Sequence, residues 1–220
     1  MAQAIFITGT DTNVGKTVIT ALIAKILLKK GKKVAVYKPV QCGNLLKGKT
    51  KSPDLFLVKK LSGINKNCLF NDYSFKFASS PHLAAELENK KVDIKKIKSH
   101  YQSLLKQFDY VLVEGAGGLI VPLTRNYTVL DLIKELNSEV IVVSRAGLGT
   151  INHTSMTLKL LKEKKVKVKG VIFNYFKGGK IEEDNRKIIS SLNRIKILGT
   201  VPYFKNLKII AGNPQKYLKI

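Results

Sequence analysis

The stretch Phe6-Ile-Thr-Gly-Thr-Asp-Thr-Asn-Val-Gly-Lys-Thr-Val18 sets the narrowest limit on what this chain can fold into. Apolar residues come first, then a glycine-bearing turn, then Gly15-Lys16-Thr17, then a helical apolar pattern. That order predicts a buried strand, a loop and a helix N-terminus. Backbone N–H groups in such a loop, with the helix dipole behind them, hold a polyphosphate. Lys16 is placed to reach the outer phosphates, and the Thr17 hydroxyl to ligate Mg2+. The pattern G-x-x-x-x-G-K-[ST] asks for glycine at position 10, whereas this chain has Thr10, with Gly9 one residue earlier. A structural turn is the competing reading, because Gly-Lys-Thr also arises by chance. The position between a strand and a helix favours nucleotide binding.

The rest of the chain repeats the alternation. Val18, Ile19, Leu22, Ile23, Ile26 and Leu27 recur at helical spacing, predicting a helix over 16–30 that stops at Gly31. Apolar runs at 4–8, 34–37, 109–114, 140–143, 169–174 and 197–201 predict strands. Helices are expected over 53–61, 81–88, 93–107, 128–136, 150–164 and 182–193, the first with Ser52 as N-cap and Pro53 behind it. The Lys-rich run 44–52 is expected to be a loop and 71–80 irregular, while the tail 203–220 is left unassigned. Strands apolar on both faces, alternating with helices, predict an α/β fold: a mostly parallel sheet with helices on both sides. At 220 residues, with no linker or repeat, one domain spanning 1–220 is expected. Ligands on such sheets collect beyond the carboxyl ends of the strands. Residues 9–17, 38–43, 114–118, 144–153 and 174 fall there.

Several residues in those places carry chemistry. Glu114 ends an apolar strand and is followed by Gly115-Ala-Gly-Gly118. A carboxylate there, opposite a phosphate loop, is suited to Mg2+, and the glycines let backbone approach a ligand. The alternative is a strand-end glutamate meeting solvent. Lys38, at the end of the second strand, is either one more surface lysine or a second cation that joins Lys16 in neutralising phosphoryl charge. Asp54 sits in the first turn of a helix, where position alone points to the helix dipole. His82, His100 and His153 form no Ser-His-Asp pattern, and His100 is expected at the surface. Asn152-His153 at a helix start suits an anion, a partner subunit or simple capping.

Composition removes other classes. Cys42 and Cys68 are too few for a disulfide framework or a zinc site, so a reduced cytoplasm is expected. No apolar run spans a membrane and no charged leader precedes the first strand. The net charge of +24 comes from lysines spread along helix ends and polar faces. Without an aromatic-interleaved basic platform it does not read as specific nucleic-acid binding, although it would steer anionic substrates inward.

Taken together and in order, Thr8-Gly-Thr-Asp-Thr-Asn-Val-Gly-Lys-Thr17, Tyr37-Lys-Pro-Val40, Ser80-Pro-His82, Val113-Glu-Gly-Ala-Gly-Gly118, Leu148-Gly-Thr-Ile-Asn-His153 and Gly199-Thr-Val-Pro202 resemble the dethiobiotin synthetase family. The resemblance covers nearly the whole chain and implies a P-loop NTPase-like fold. It implies that 7,8-diaminopelargonic acid takes up CO2 as a carbamate. The carbamate then attacks the γ-phosphorus of ATP, and the neighbouring amine closes a cyclic urea, with ADP and phosphate released. The nucleophile comes from substrate, consistent with the lack of a triad. Catalytic roles would fall to Lys16 and Lys38. Asn13, Val14, Gly15, Lys16, Thr17 and Val18 would line the phosphates, and Thr17, Asp54 and Glu114 would hold Mg2+. Glu114, Gly115, Ala116 and Gly117 would border the nucleotide; Asn174 with Pro202, Tyr203 and Phe204 would meet the base. Lys38, Thr12 and Cys42 would lie beside the diamine. The family works as a homodimer with active sites at the interface. There Gly149, Thr150, Ile151 and Asn152 of one subunit would take the substrate carboxylate of the other, a sound anion site for a helix N-terminus.

Three departures stand out. Asn13 replaces a frequent glutamate, Cys42 replaces a frequent serine, and the chain carries only a short tail after its last strand. A thiol is a weaker hydrogen-bond donor than a hydroxyl. The runner-up is a partitioning-type ATPase switch acting on DNA or membrane. Those ATPases carry a second lysine where this chain has Asp11.

Overall fold

Strands buried on both faces pair into one parallel sheet. The computed structural model describes residues 2–44 and 52–220. Its strands are β1 (Gln3–Gly9), β2 (Val34–Tyr37), β3 (Val40–Gln41), β4 (Leu69–Phe70), β5 (Tyr73–Ser74), β6 (Tyr110–Glu114), β7 (Pro122–Thr124), β8 (Tyr127–Thr128), β9 (Glu139–Arg145), β10 (Val168–Phe176) and β11 (Ile197–Pro202). Its helices are α1 (Lys16–Lys29), α2 (Pro53–Ser62), α3 (Pro81–Leu87), α4 (Ile94–Leu105), α5 (Val129–Leu136), α6 (Thr150–Glu163), α7 (Lys180–Asn193) and α8 (Leu207–Gly212). The main sheet has seven strands in the order β11-β10-β9-β1-β6-β2-β4, every neighbour parallel.

Period-two alternation divides the core between the two faces of this sheet. Ile5, Ile7, Val36, Leu112, Ile141 and Ile172 point to one face, where they meet α1, α2 and α8. Phe6, Tyr37, Val113, Val142 and Phe173 point to the other, under α3 to α7. Helix α1 is buried along most of its length, as the helix lying across the middle of the sheet must be.

Ser52 and Pro53 act as expected at the start of α2, and the structure adds further caps. Ser52 caps α2, accepting from Leu55 N at 3.3 Å, with Pro53 at the first position and Gly63 closing the helix at φ 79. Thr128 and Asp131 form a reciprocal capping box at α5.

Five features differ from the sequence reading. Within the stretch leading up to residue 70, Leu69–Phe70 forms the outer sheet strand β4, too short for any period to reveal. Tyr73–Ser74, expected to be irregular, pairs with β3, and β7 with β8 makes a small antiparallel hairpin. The unassigned tail is structured: α8 packs on the α1 face, and Leu218 bridges Gly199 of β11. His100 is not a plain surface residue, because its Nδ1 lies 2.7 Å from Asp72 Oδ1 and its ring sits against Tyr37 and Phe70. The loop expected over 44–52 lies outside the described residues except for its two ends.

The tail yields the first prediction. Leu218 is 3% exposed. Leu218→Ala is expected to lower unfolding stability by about 2–5 kcal/mol in urea titration. A loss below about 0.5 kcal/mol would show that the tail lies outside the core.

Candidate active site

Register brings the site together. In β1, Ile7 pairs with Glu114 of β6, and Gly9 pairs with Val143 of β9. In β2, Tyr37 pairs with Val113, so Lys38 leaves its strand level with Glu114. The loop after β1, the residue after β2 and the last residue of β6 therefore emerge side by side at the carboxyl edge.

The loop between β1 and α1 turns through two left-handed residues, Asn13 at φ 58 and Gly15 at φ 92. Asparagine tolerates that region better than most side chains, which gives Asn13 a backbone role. Such turns aim successive N–H groups into one concavity, the geometry that grips anions. Thr10, the apparent flaw, is tied to the next strand through Thr10 N to Val143 O at 3.0 Å. The close approach the motif needs is supplied by Gly9, where a Cβ would lie 2.7 Å from Val14 Cγ2 and 3.0 Å from Lys16 Nζ. The Val14 side chain is in the core, so only its backbone is offered to a ligand. Lys16 folds back to donate to Asp11 O at 3.0 Å. Burial, and next the charge on Lys38, push its pKa down to about 8.

Lys38 is 4% exposed and lies at the centre of the site. Its ammonium donates to Asp54 Oδ2 at 2.7 Å, Glu114 Oε1 at 2.8 Å and the Gly115 carbonyl at 3.2 Å. An ammonium has three donors, and all are taken. Burial works against the charge, but Glu114 and then Asp54 override it and hold the pKa above the ordinary lysine value. Thr17 Oγ1 donates to the same Glu114 Oε1 at 2.8 Å. Glu114 is 1% exposed, and its Oε2 is buried without a hydrogen-bond partner. An orphaned buried carboxylate oxygen is unfavourable and asks for a cation.

Those groups suit Mg2+. They are hard oxygen donors, two carboxylates and a hydroxyl, and Mg2+ completes such a set with phosphate oxygens and water. Among the described residues no group of three or more His, Cys, Asp and Glu converges. Asp54 is aimed by a residue the sequence reading missed. Gln41 Oε1 accepts from Ser52 Oγ at 2.8 Å and from Asp54 N at 3.4 Å, fastening the start of α2 to the loop after Lys38. Only its place in the 38–43 segment hinted at this. The dipole reading of Asp54 gives way to its ion pair with Lys38.

Thr12, Asn13, Gly15 to Val18, Lys38, Cys42, Asp54, Glu114, Ala116 and Gly117 line one cavity of about 860 Å3, joined by the unpredicted Gln41, Ser79, Ser80 and Tyr175. Burial raises the Cys42 thiol to about 11, so it stays neutral. Asn174 is 2% exposed and holds the loop from behind, its Nδ2 donating to Val14 O at 3.0 Å. Pro202, Tyr203 and Phe204 are not among the residues lining this cavity. Nor are Gly149, Thr150, Ile151 and Asn152. The Thr150 hydroxyl of that group is engaged by Arg145 O at 2.6 Å, while Ile151 and Asn152 are exposed at the start of α6 beside Leu148, which is 97% exposed.

Residues 3–210 match a family model described as an AAA domain. The chain is 42% identical over 212 residues to the ATP-dependent dethiobiotin synthetase of Clostridium acetobutylicum, covering 94% of this chain and 88% of that protein. It is 42% identical over 193 residues to that of Fusobacterium nucleatum, covering 87% of each. Among solved structures, a ParA family ATPase from Chlorobium tepidum superposes with a TM-score of 0.65 at 17% identity, over 99% of this chain and 95% of that one, a likeness of fold.

Lys16 gives a prediction with a definite sign. At pH 8 it is about half protonated in the free chain. A bound polyphosphate favours the charged form, so affinity falls as pH rises through about 8 and binding there takes up about half a proton. Near pH 6 the residue is already charged and takes up none. Titration calorimetry with inorganic tripolyphosphate, in metal-free buffers of differing ionisation enthalpy, reads the uptake against a Lys16→Met background. Equal uptake at the two pH values would refute the lowered pKa.

Proposed function

We propose that this chain, which belongs to the ATP-dependent dethiobiotin synthetase family, makes dethiobiotin in the cavity between the phosphate loop and Lys38. Its substrates are 7,8-diaminopelargonic acid, CO2 and ATP. One amine of the substrate adds to CO2 and loses a proton, giving a carbamate. A carbamate oxygen attacks the γ-phosphorus while the bond to the β-phosphate oxygen breaks, releasing ADP. The second amine then attacks the carbonyl carbon of the mixed anhydride, phosphate leaves, and the cyclic urea is closed.

The observation that carries this reading is the ammonium of Lys38 placed between Asp54 and Glu114, at the open edge of a phosphate loop. Joining a carbamate to a triphosphate brings two anions together, and a buried cation is what that encounter needs. The loop amides from Asn13 to Val18 and the Lys16 ammonium hold the β- and γ-phosphates. Lys38 draws the carbamate toward the phosphorus. Mg2+, when bound by Thr17, Asp54 and Glu114, supplies charge neutralisation on the phosphate oxygens. Thr12 and Cys42 border the diamine. Gly115, Ala116 and Gly117 border the nucleotide, and Asn174 with Pro202, Tyr203 and Phe204 forms the base end. Positioning and electrostatics suffice, and no covalent enzyme intermediate is required.

The active form in this reading is a homodimer. Gly149, Thr150, Ile151 and Asn152 of the second subunit take the substrate carboxylate at the N-terminus of α6, and the exposed Leu148 beside them supports a covered surface. The two free cysteines and the lack, among the described residues, of a helix long and apolar enough to cross a membrane are consistent with the cytoplasm.

Purified protein given diaminopelargonate, bicarbonate and MgATP is expected to form dethiobiotin, detected by mass spectrometry, with one ADP per product. ATP hydrolysis without product would overturn the assignment. Lys16→Ala and Lys38→Ala are each expected to reduce turnover by roughly 100- to 1,000-fold, with folding followed by circular dichroism. Near-normal turnover in either variant removes that lysine from the mechanism. Sedimentation at assay concentration tests the dimer, and a fully active monomer would refute it.

A further inference from the structure

Lys38 stands at the centre of the site, yet it lies one residue beyond the end of its strand. The pairing of β2 with β6 ends at Tyr37 and Val113, and its pairing with β4 ends at Tyr37 and Phe70. The lysine is therefore outside both ladders. Its ammonium is carried on a flexible four-carbon stem. Such a stem reaches a fixed point reliably only from a backbone that is itself fixed.

The segment at the end of β4 supplies that fixing. Lys38 N donates to Phe70 O at 2.9 Å. Lys38 O accepts from Asn71 Nδ2 at 2.7 Å, and the same Nδ2 donates to Tyr73 O at 3.0 Å. Asp72 N and Tyr73 N both donate to Pro39 O, at 3.3 and 3.0 Å. The two atoms facing the Asn71 amide are carbonyl oxygens, so the side chain has to present its NH2 group to them. An acid of the same shape has no donor to offer there.

The segment is anchored in turn. Asp72 is nearly buried and takes the Tyr37 hydroxyl on one carboxylate oxygen and His100 Nδ1, at 2.7 Å, on the other. Tyr73 and Ser74 pair with Val40 and Gln41. The chain on both sides of Lys38 is thus tied to residues 70–74, and Asn71 is the side chain that holds the lysine's own carbonyl. A buried carbonyl deprived of its donor is unfavourable, and the backbone relieves it by moving.

We propose that Asn71 is a positioning residue: by holding the Lys38 carbonyl it sets where the ammonium stands between Asp54 and Glu114. Its place in the reaction rests on the reading that Lys38 draws the carbamate toward phosphorus. Asn71 is not among the residues lining the cavity. Its contribution therefore falls on the placement of a charge in the transition state and not on the grip on substrate.

The test separates positioning from simple ordering of the segment. Asn71→Ala is expected to lower kcat roughly 10- to 100-fold, as displacement of a catalytic group does. KM for ATP is expected to stay within about twofold of the parent chain, the pattern of an interaction made in the transition state. Asn71→Asp keeps the shape, loses the donor and is expected to behave alike, with folding of each variant followed by circular dichroism. Asn65→Ala is the control, because Asn65 caps the turn before β4 by accepting from Asn67 N at 3.0 Å, a bond within that turn. Its kcat is expected to match the parent. In a Lys38→Ala background, Asn71→Ala is expected to add no further loss. The free chain gives a second readout. With carbon-13 at lysine Cε, the signal lost in Lys38→Ala identifies Lys38, and Asn71→Ala is expected to shift that signal toward those of exposed lysines. Unchanged kcat in Asn71→Ala, an equal fall in Asn65→Ala, a full additional loss in the Lys38→Ala background or an unmoved Lys38 signal each overturns the proposal. If the parent chain forms no dethiobiotin while the Lys38 signal shifts as expected, the reaction reading fails and the positioning of Lys38 by Asn71 stands.

Discussion

The buried contact of Lys38 with Asp54, Glu114 and Gly115 O is the constraint on which the rest of the site depends. An ammonium with so little exposure persists only when its protons are matched by oxygens. Each of those oxygens comes from a different route through the fold. Glu114 is delivered by the pairing of β6 with β1 and β2, Asp54 by the capped start of α2, and the Gly115 carbonyl by the chain as it leaves β6. Shifting β2 by one residue would turn Tyr37 out of the core and move Lys38 off the cluster. Core packing and site chemistry therefore demand the same register, and neither can be altered alone.

Much of this was legible from local pattern. Strands buried on both faces announce themselves as apolar runs, so six of the seven main-sheet strands and the helices between them stand out. The loop before α1 carries its own composition. Ser52 and Pro53 mark the start of their helix because caps depend on neighbours a few residues away. What stayed hidden depends on distant partners. Leu69–Phe70 is too short to show a period and is a strand only because β2 has an open edge. Asp54 looks like a helix-dipole residue until Lys38 is placed 2.7 Å from it. Gln41 has no signal of its own, and the tail is ordered by Gly199 and by the α1 face rather than by its own periodicity. Family resemblance reached Asp54 where position alone did not.

Thr10 and Asn13 show a different kind of hidden order. As letters, each departs from an expected residue. In the fold, Gly9 supplies the close approach expected at position 10, and Asn13 adopts a left-handed turn that its side chain tolerates. The departures are absorbed by the backbone, so the loop keeps its concavity with a different spelling. Charge divides in a similar way. The chain is rich in lysine, yet among the described residues only Lys16 and Lys38 are buried. Basicity is thus a property of the outer surface, and the cations that matter chemically are the two the fold has taken out of water.

The saturated state of Lys38 has a consequence for selectivity. With its three donors engaged inside the protein, the lysine offers an arriving anion no vacant proton. A bare phosphate must break contacts with Asp54 and Glu114 and leave those carboxylates unmatched. A ligand that arrives already carrying divalent charge replaces one cation at the carboxylates with another and frees the lysine in the same exchange. The pocket thereby behaves as a filter. The loop and Lys16 can take up a bare polyphosphate, but the strongest positive charge, on Lys38, opens only to a ligand that brings its own.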